Sequence, residues 1–160
     1  MWELPHGTVT FLFTDIEGST RLLHELGDRY AEVLAEHRRV LREAFDRHGG
    51  AEVDTQGDAF FYAFARAADA VAAAAAGQAA LGGGPIRVRM GLHTGTPERT
   101  DDGYVGLDVH LGARVAAAGH GGQVLLSAAT QELVEADVLD LGEHRLKDFP
   151  NPVWILQLGA

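Results

Sequence analysis

The spacing of apolar residues and chain breakers predicts an α+β fold, an α/β sandwich in which helices pack on a mostly antiparallel sheet. Three observations carry this. A short, bulky apolar run at 9–13 precedes a long segment, 21–48, whose apolar residues recur every three or four positions. Two β-like runs then meet at Gly57-Asp58, a pair suited to a two-residue hairpin turn. Finally, the breaker Gly82-Gly83-Gly84-Pro85 parts an alanine-rich helix from an alternating strand. The order is strand, helix, hairpin, helix, strand, helix, strand, helix, hairpin. One domain spanning 1–160 accounts for a chain of this length, which shows no internal repeat, charge run or linker.

The run Val-Thr-Phe-Leu-Phe at 9–13 has the length and bulk of a buried strand and leads to Asp15. In 21–48, Leu23, Leu26, Tyr30, Val33, Leu34, His37, Leu41, Ala44 and Phe45 share one face, with arginines and glutamates opposite. That predicts one long amphipathic helix or two abutting ones, ended by Gly49-Gly50. Residues 51–55 and 59–64 are the hairpin strands, and 66–81 is a helix by alanine propensity. Residues 86–94 alternate, with Arg87 and Arg89 on one face and Ile86, Val88 and Met90 on the other. Residues 95–106, polar and glycine-bearing, predict an exposed loop or hairpin arm. A third helix over 107–118 closes at Gly119 and Gly121-Gly122, and 123–126 is a short strand. Ser127 is placed to cap a brief helix reaching 134. The last strands, 138–146 and 153–158, flank a loop containing Pro150 and Pro152.

Composition narrows the function classes. A formal net charge of −10 argues against a nucleic-acid partner. With no cysteine there is neither a disulfide framework nor a thiolate metal site, which fits the cytoplasm. No apolar run approaches the roughly 20 residues of a membrane span; the alanine stretch at 70–80 is broken by Gly77 and Gln78. Residues 1–6 lack the regions of a secretion leader. The chain stops just after its last strand, which fits a stand-alone enzyme or one part of a larger regulator. Gly-x-x-x-x-Gly-Lys-Ser/Thr, Gly-x-Ser-x-Gly and His-Glu-x-x-His are all missing, which argues against P-loop, hydrolase-elbow and zinc-protease chemistry. His37, on an apolar helix face, and His93, on a strand, read as satisfied core or boundary residues.

The chemistry concentrates in Phe11-Leu-Phe-Thr-Asp-Ile-Glu-Gly-Ser-Thr20. A strand that ends on Asp15 and turns through Gly18 into a helix offers a hard-cation ligand beside unpaired helix N–H groups that attract phosphate. Ser19 and Thr20 are good caps for that helix. Asp58, at the hairpin tip, is the partner: the hairpin lies beside the first strand, and two carboxylates there can share two divalent cations roughly 4 Å apart. The main-chain carbonyl of Ile16 completes the set for Mg²⁺ or Mn²⁺, which take few protein ligands and several substrate phosphates. Glu17 is an extra candidate ligand. Asp69, Asp101, Asp102 and Asp108 read as solvated caps and loop residues. A strand ending Asp-x-Glu also occurs in aspartyl-phosphate phosphatases, but Glu17 suits that second role poorly.

The first of these stretches, with Thr55-Gln-Gly-Asp58-Ala-Phe-Phe, Gly103-Tyr-Val-Gly-Leu-Asp-Val-His-Leu-Gly-Ala-Arg114 and Gly142-Glu-His-Arg-Leu-Lys147-Asp-Phe-Pro, resembles the catalytic domain of class III adenylate/guanylate cyclases. Four motifs in order, over about 7–158, make the resemblance specific. It implies a ferredoxin-like sandwich that works as a head-to-tail homodimer with two shared sites. One chain then gives the metal aspartates, and the other gives the base-contacting and transition-state residues. It implies further that Asp15, Asp58 and the Ile16 carbonyl hold two divalent cations. Gly18, Ser19 and Thr20 would receive phosphate, Arg114 the charge on the reacting α-phosphate, and Lys147 the triphosphate from the far chain. The implied substrate is a nucleoside triphosphate, ATP first.

Three substrate-positioning residues depart from the pattern of that family. Asp54 stands where a purine-selecting lysine is expected, Gly103 replaces its aspartate partner, and His110 replaces the ribose-orienting asparagine. A carboxylate cannot donate to a purine acceptor, whereas a histidine still donates one hydrogen bond and changes charge in the physiological range. Intact metal residues beside an altered pocket predict slow, loosely or unusually base-selective and pH-sensitive cyclase activity. The competing expectation is a silent cyclase-like module that binds nucleotide or dimerises to regulate an attached domain.

Overall fold

The computed structural model describes residues 4–159; Met1, Trp2 and Glu3, part of the stretch weighed as a leader, and Ala160 lie outside the described residues. Strand β1 (Val9–Ile16) leads into α1 (Ser19–Leu26), a 3-10 turn (Gly27–Arg29) and α2 (Tyr30–Arg47). The hairpin β2 (Ala51–Gln56) and β3 (Ala59–Phe64) follows, then α3 (Ala67–Leu81) and β4 (Val88–Gly95). A small arm, β5 (Glu98–Arg99) and β6 (Tyr104–Val105), precedes α4 (Leu107–Ala117), β7 (Val124–Ser127) and α5 (Ala128–Gln131). Strands β8 (Val138–His144) and β9 (Val153–Leu158) close the sheet. Its order is β2-β3-β1-β4-β7-β9-β8, antiparallel throughout except for the β4–β7 pair. The β2-β3-β1-β4 half, with its helices, has the split βαβ pattern of a ferredoxin-like unit.

The long periodic segment forms two abutting helices because Gly27 adopts a left-handed φ of 55°, which costs a glycine little. Aromatic and branched residues of β1, β3 and β4 bury one sheet face against α2 and α3; Leu12, Phe60, Tyr62, Met90 and Leu92 meet Leu41, Phe45 and Ala74 there. The other face is split. Val115 of α4 packs with Leu125, Leu146 and Ile155, whereas Phe11 and Ala63 are covered by Tyr104 of the small arm. Gly91 lets α4 lie directly on β4, since a β-carbon there would come within 2.3 Å of the Ala116 nitrogen.

Two capping expectations are corrected. Gly18, at φ 66°, is the N-cap of α1 and its carbonyl accepts from Leu22 N–H, so Ser19 and Thr20 enter the first turn instead of capping it. Ser127 does stand at the N-cap of α5, but its hydroxyl is taken by His93.

Candidate active site

Asp15 lies near the carboxyl end of β1. The registers Thr14↔Phe60 and Gln56↔Ala59 bring the Gly57-Asp58 turn to that same end of the sheet, with β3 directly beside β1 and β2 one strand further out. Arg38 of α2 donates to the Gly57 carbonyl and so ties the turn to the helix layer. Arg89, opposite Asp15 on β4, clasps its carboxylate with Nε–H and Nη2–H at 2.7 and 2.6 Å. That hydrogen-bonded pair is the main reason the guanidinium holds its proton more tightly than usual, and the fields of Glu17 and Asp58 add to it. Arg89 thus lies in the field of three carboxylates and is bonded to one of them, Asp15.

This end of the sheet fits a divalent cation on the chemistry of its donors. Among the described residues no cluster of three or more His, Cys, Asp or Glu side chains could hold a metal. Two aspartates and a carbonyl would therefore need oxygens from a ligand, which is how Mg²⁺ is commonly held. Asp15 is already matched to positive charge, since a guanidinium occupies it. Glu17 is less available than expected. Its carboxyl is held below the ordinary value, chiefly by the Gly121 backbone N–H and then by His120 and Arg87. Its Oε2 lies 3.6 Å from the His120 ring.

Asp15 also borders a cleft of about 290 Å³ between α4 and the hairpin, with Phe13 and Phe61 on one side and Ala113 and Ala116 on the other. The two phenyl rings stack at 4.3 Å. Asp54 lines the same cleft, its carboxylate accepting from Thr55 N–H at 2.9 Å and Gln56 Nε2–H at 3.0 Å. A β-carbon on Gly103 would sit 3.0 Å from Val53, so the small arm lies against β2 beside Asp54. The structure therefore brings together two of the three departed positions, Asp54 and Gly103. Gly18, Ser19 and Thr20 open α1 three to five residues beyond Asp15, where the first N–H groups have no helical partner.

Arg114 and the segment that carries Lys147 are joined elsewhere. Arg114 on α4 donates to Asp148 at 2.8 Å, and Lys147 is the exposed residue beside it in the β8–β9 connection. His110 lies exposed one turn earlier on α4. No hydrogen bond or ion pair among the described residues joins this patch to Asp15 or Asp58. Arg89 and Asp148 were not singled out from sequence. The sequence signal for Arg89 is its alternation on its strand and for Asp148 its place beside Lys147 in the last motif; its pairing with Arg114, 34 residues away, has none.

The family profile described as the adenylate and guanylate cyclase catalytic domain matches residues 2–149. An uncharacterised protein of Mycobacterium tuberculosis is 42% identical over 162 residues, covering 96% of this chain and 56% of its own length. A receptor-type adenylate cyclase of Trypanosoma congolense is 30% identical over 95% of this chain and 28% of its own. The chain thus spans about half, or less, of these curated relatives. Among solved structures, an adenylate cyclase of Trypanosoma brucei in its monomeric state superposes with a TM-score of 0.89 at 29% identity, covering 98% of this chain and 91% of that one. An adenylyl cyclase from P. aeruginosa gives 0.80 at 26% identity, covering 99% and 97%. Fold, motif order and matched span agree: the chain belongs to the class III adenylate/guanylate cyclase catalytic domain family.

Proposed function

We propose that the chain is a nucleotidyl cyclase that converts a nucleoside triphosphate to its 3′,5′-cyclic nucleotide and pyrophosphate. It would do so as a homodimer, in the cytoplasm, with Asp15, Asp58 and the Ile16 carbonyl holding two Mg²⁺ or Mn²⁺ ions. The observation that carries the reading is the placing of Asp15 and the Asp58 turn at one end of adjacent strands, beside a cleft. Bound there, the cations supply acidification of the ribose hydroxyl and neutralisation of the leaving group. In the reaction the 3′-oxygen forms a bond to the α-phosphorus, the bond from that phosphorus to the β-phosphate bridging oxygen breaks, and the hydroxyl proton passes to solvent. The N–H groups at Gly18, Ser19 and Thr20 orient phosphate oxygens. Arg114 and Lys147 carry fixed positive charge; their separation from Asp15 supports a site completed by a second copy of the chain. His110 donates one hydrogen bond to the ribose.

Asp54 carries the choice of base. Two of its acceptor positions are used by Thr55 and Gln56, which leaves acceptor capacity facing the cleft. An acceptor-only edge suits guanine, which presents N1–H and a 2-amino group, better than the ring N1 of adenine. The trypanosomal relatives are named as adenylate cyclases, which supports ATP as the competing substrate.

The test is complementation. If each site draws on both chains, mixing Asp15→Ala with Arg114→Ala protein regenerates one intact site per mixed dimer, and cyclic product appears although neither variant alone makes any. Two folded variants that never rescue one another contradict shared sites. A non-cyclisable triphosphate that binds the parent chain, with no product from any of the four triphosphates, would favour the silent module.

A further inference from the structure

Buried between β4, β7 and α4 is a histidine that this chemistry leaves unused. His93, on β4, is 5% exposed, and both its ring nitrogens are engaged. Nδ1 lies 2.7 Å from the hydroxyl of Ser127, at the end of β7, and Nε2 lies 2.9 Å from a carboxylate oxygen of Asp108, in the first turn of α4. An ionised carboxylate only accepts, so Nε2 carries the proton toward Asp108, and the Ser127 hydroxyl rotates to suit the other nitrogen. Around this chain the backbone allows no slack. A β-carbon on Gly95 would fall 2.1 Å from Asp108 Oδ2, and one on Gly112 would fall 2.7 Å from the Phe13 ring. Helix α4 is therefore pressed onto the sheet by its glycine contacts and pinned at its start by one hydrogen bond that Asp108 accepts from a buried imidazole.

The same helix presents His110 two residues after Asp108 and Arg114 six residues after it. We propose that His93, through Asp108, is a positioning residue that sets the seat of α4 and so determines where His110 and Arg114 stand relative to the substrate in the partner's half of the site. The consequence for activity rests on the cyclase reading; the seating of α4 does not. Asp108 alone would read as an ordinary first-turn acid favoured by the helix dipole. Its bond to a buried imidazole, which is in turn bonded to a third element, distinguishes it.

Two variants separate the bonds. In His93→Asn the shorter amide keeps the reach to Ser127 and loses Asp108, whereas in His93→Gln the amide N–H still extends to Asp108. The expected result is that His93→Asn lowers turnover about tenfold or more with little change in KM, while His93→Gln retains most of it. In mixed dimers His93→Asn should behave as a member of the Arg114 class: rescued by Asp15→Ala, which supplies a sound α4, and not by Arg114→Ala. Recovery with Arg114→Ala, or none with Asp15→Ala while the Asp15→Ala and Arg114→Ala control recovers, overturns the proposal. If that control itself fails, the shared-site reading has failed, and amide hydrogen exchange decides the seating alone. His93→Asn should speed exchange across 107–114 about tenfold while leaving 67–81 unchanged. Unchanged exchange on α4, or a uniform rise in both helices, overturns it.

Discussion

Arg89 and Asp15 face each other across the β4–β1 ladder and are joined by two hydrogen bonds of 2.7 and 2.6 Å. Without a metal, the carboxylate best placed to bind one is already neutralised by a neighbour. A cation entering the site must share or displace that guanidinium. Replacing Arg89 by Ala should therefore tighten Mn²⁺ binding in the absence of nucleotide, by about fivefold, since one nearby unit charge in a half-exposed setting is worth about 1 kcal/mol. A manganese titration followed by electron paramagnetic resonance checks it. Equal or weaker binding would mean that Arg89 props Asp15 in its binding posture more than it competes with the metal.

The hairpin makes a second prediction, about the base. With Asp54 offering acceptors to the cleft, GTP should be turned over in preference to ATP. Asp54→Asn, whose amide can both donate and accept, should reduce that preference about tenfold, the scale of one good base-edge contact. Initial rates of cyclic product from the four triphosphates measure it, and vigorous ATP-only turnover by the parent would refute the role given to Asp54.

Gly91 and Ala116 give a third. Because a β-carbon at Gly91 meets backbone, the helix itself must lift. Gly91→Ala should cost about 2 kcal/mol and lower Tm by roughly 4–8 °C, as overpacking against an immovable neighbour does in a domain of this size. A thermal melt by circular dichroism reads this, and an unchanged Tm would show that α4 has slack there.

The pH dependence of stability offers a fourth. Glu52 accepts from Arg42 at 2.9 and 3.1 Å and from the Tyr62 hydroxyl at 3.3 Å, and these partners, Arg42 first, hold its carboxyl below the ordinary value. A carboxyl depressed by folding adds stability that is present above its unfolded value and lost as pH falls through the folded one. Between about pH 5 and 3 the Tm of the parent should then fall more steeply than that of Glu52→Gln, the unfolded value being about 4.3. Parallel Tm curves would remove Glu52 from the acid limb.

Much of the architecture was legible because it is written in local patterns. The three-and-four spacing around Leu34 and Leu41, the Gly57 turn and the Gly82–Pro85 breaker each act within a few residues. The class III motifs likewise lie in short contiguous stretches, so Asp15, Asp58 and Arg114 stand out as candidates from sequence alone. What stayed hidden depends on sheet register and tertiary contact. Arg89 meets Asp15 only because β4 pairs with β1, 74 residues away. His93 reads as an ordinary core histidine until Ser127 and Asp108 arrive from β7 and α4. Ser19 and Thr20 have the residue type of caps, but the left-handed turn at Gly18 starts the helix one residue earlier.

The whole reading depends on the two carboxylates at the ends of β1 and the β2–β3 hairpin working as one site. A crystal structure with Mn²⁺ and a non-cyclisable triphosphate, with the metal located by anomalous scattering, tests this most directly. The expected result is manganese ligated by both Asp15 and Asp58 and by phosphate oxygens, with Arg89 released from Asp15. Metal bound away from these two residues, or held by only one of them with the Arg89–Asp15 pair intact, would contradict it.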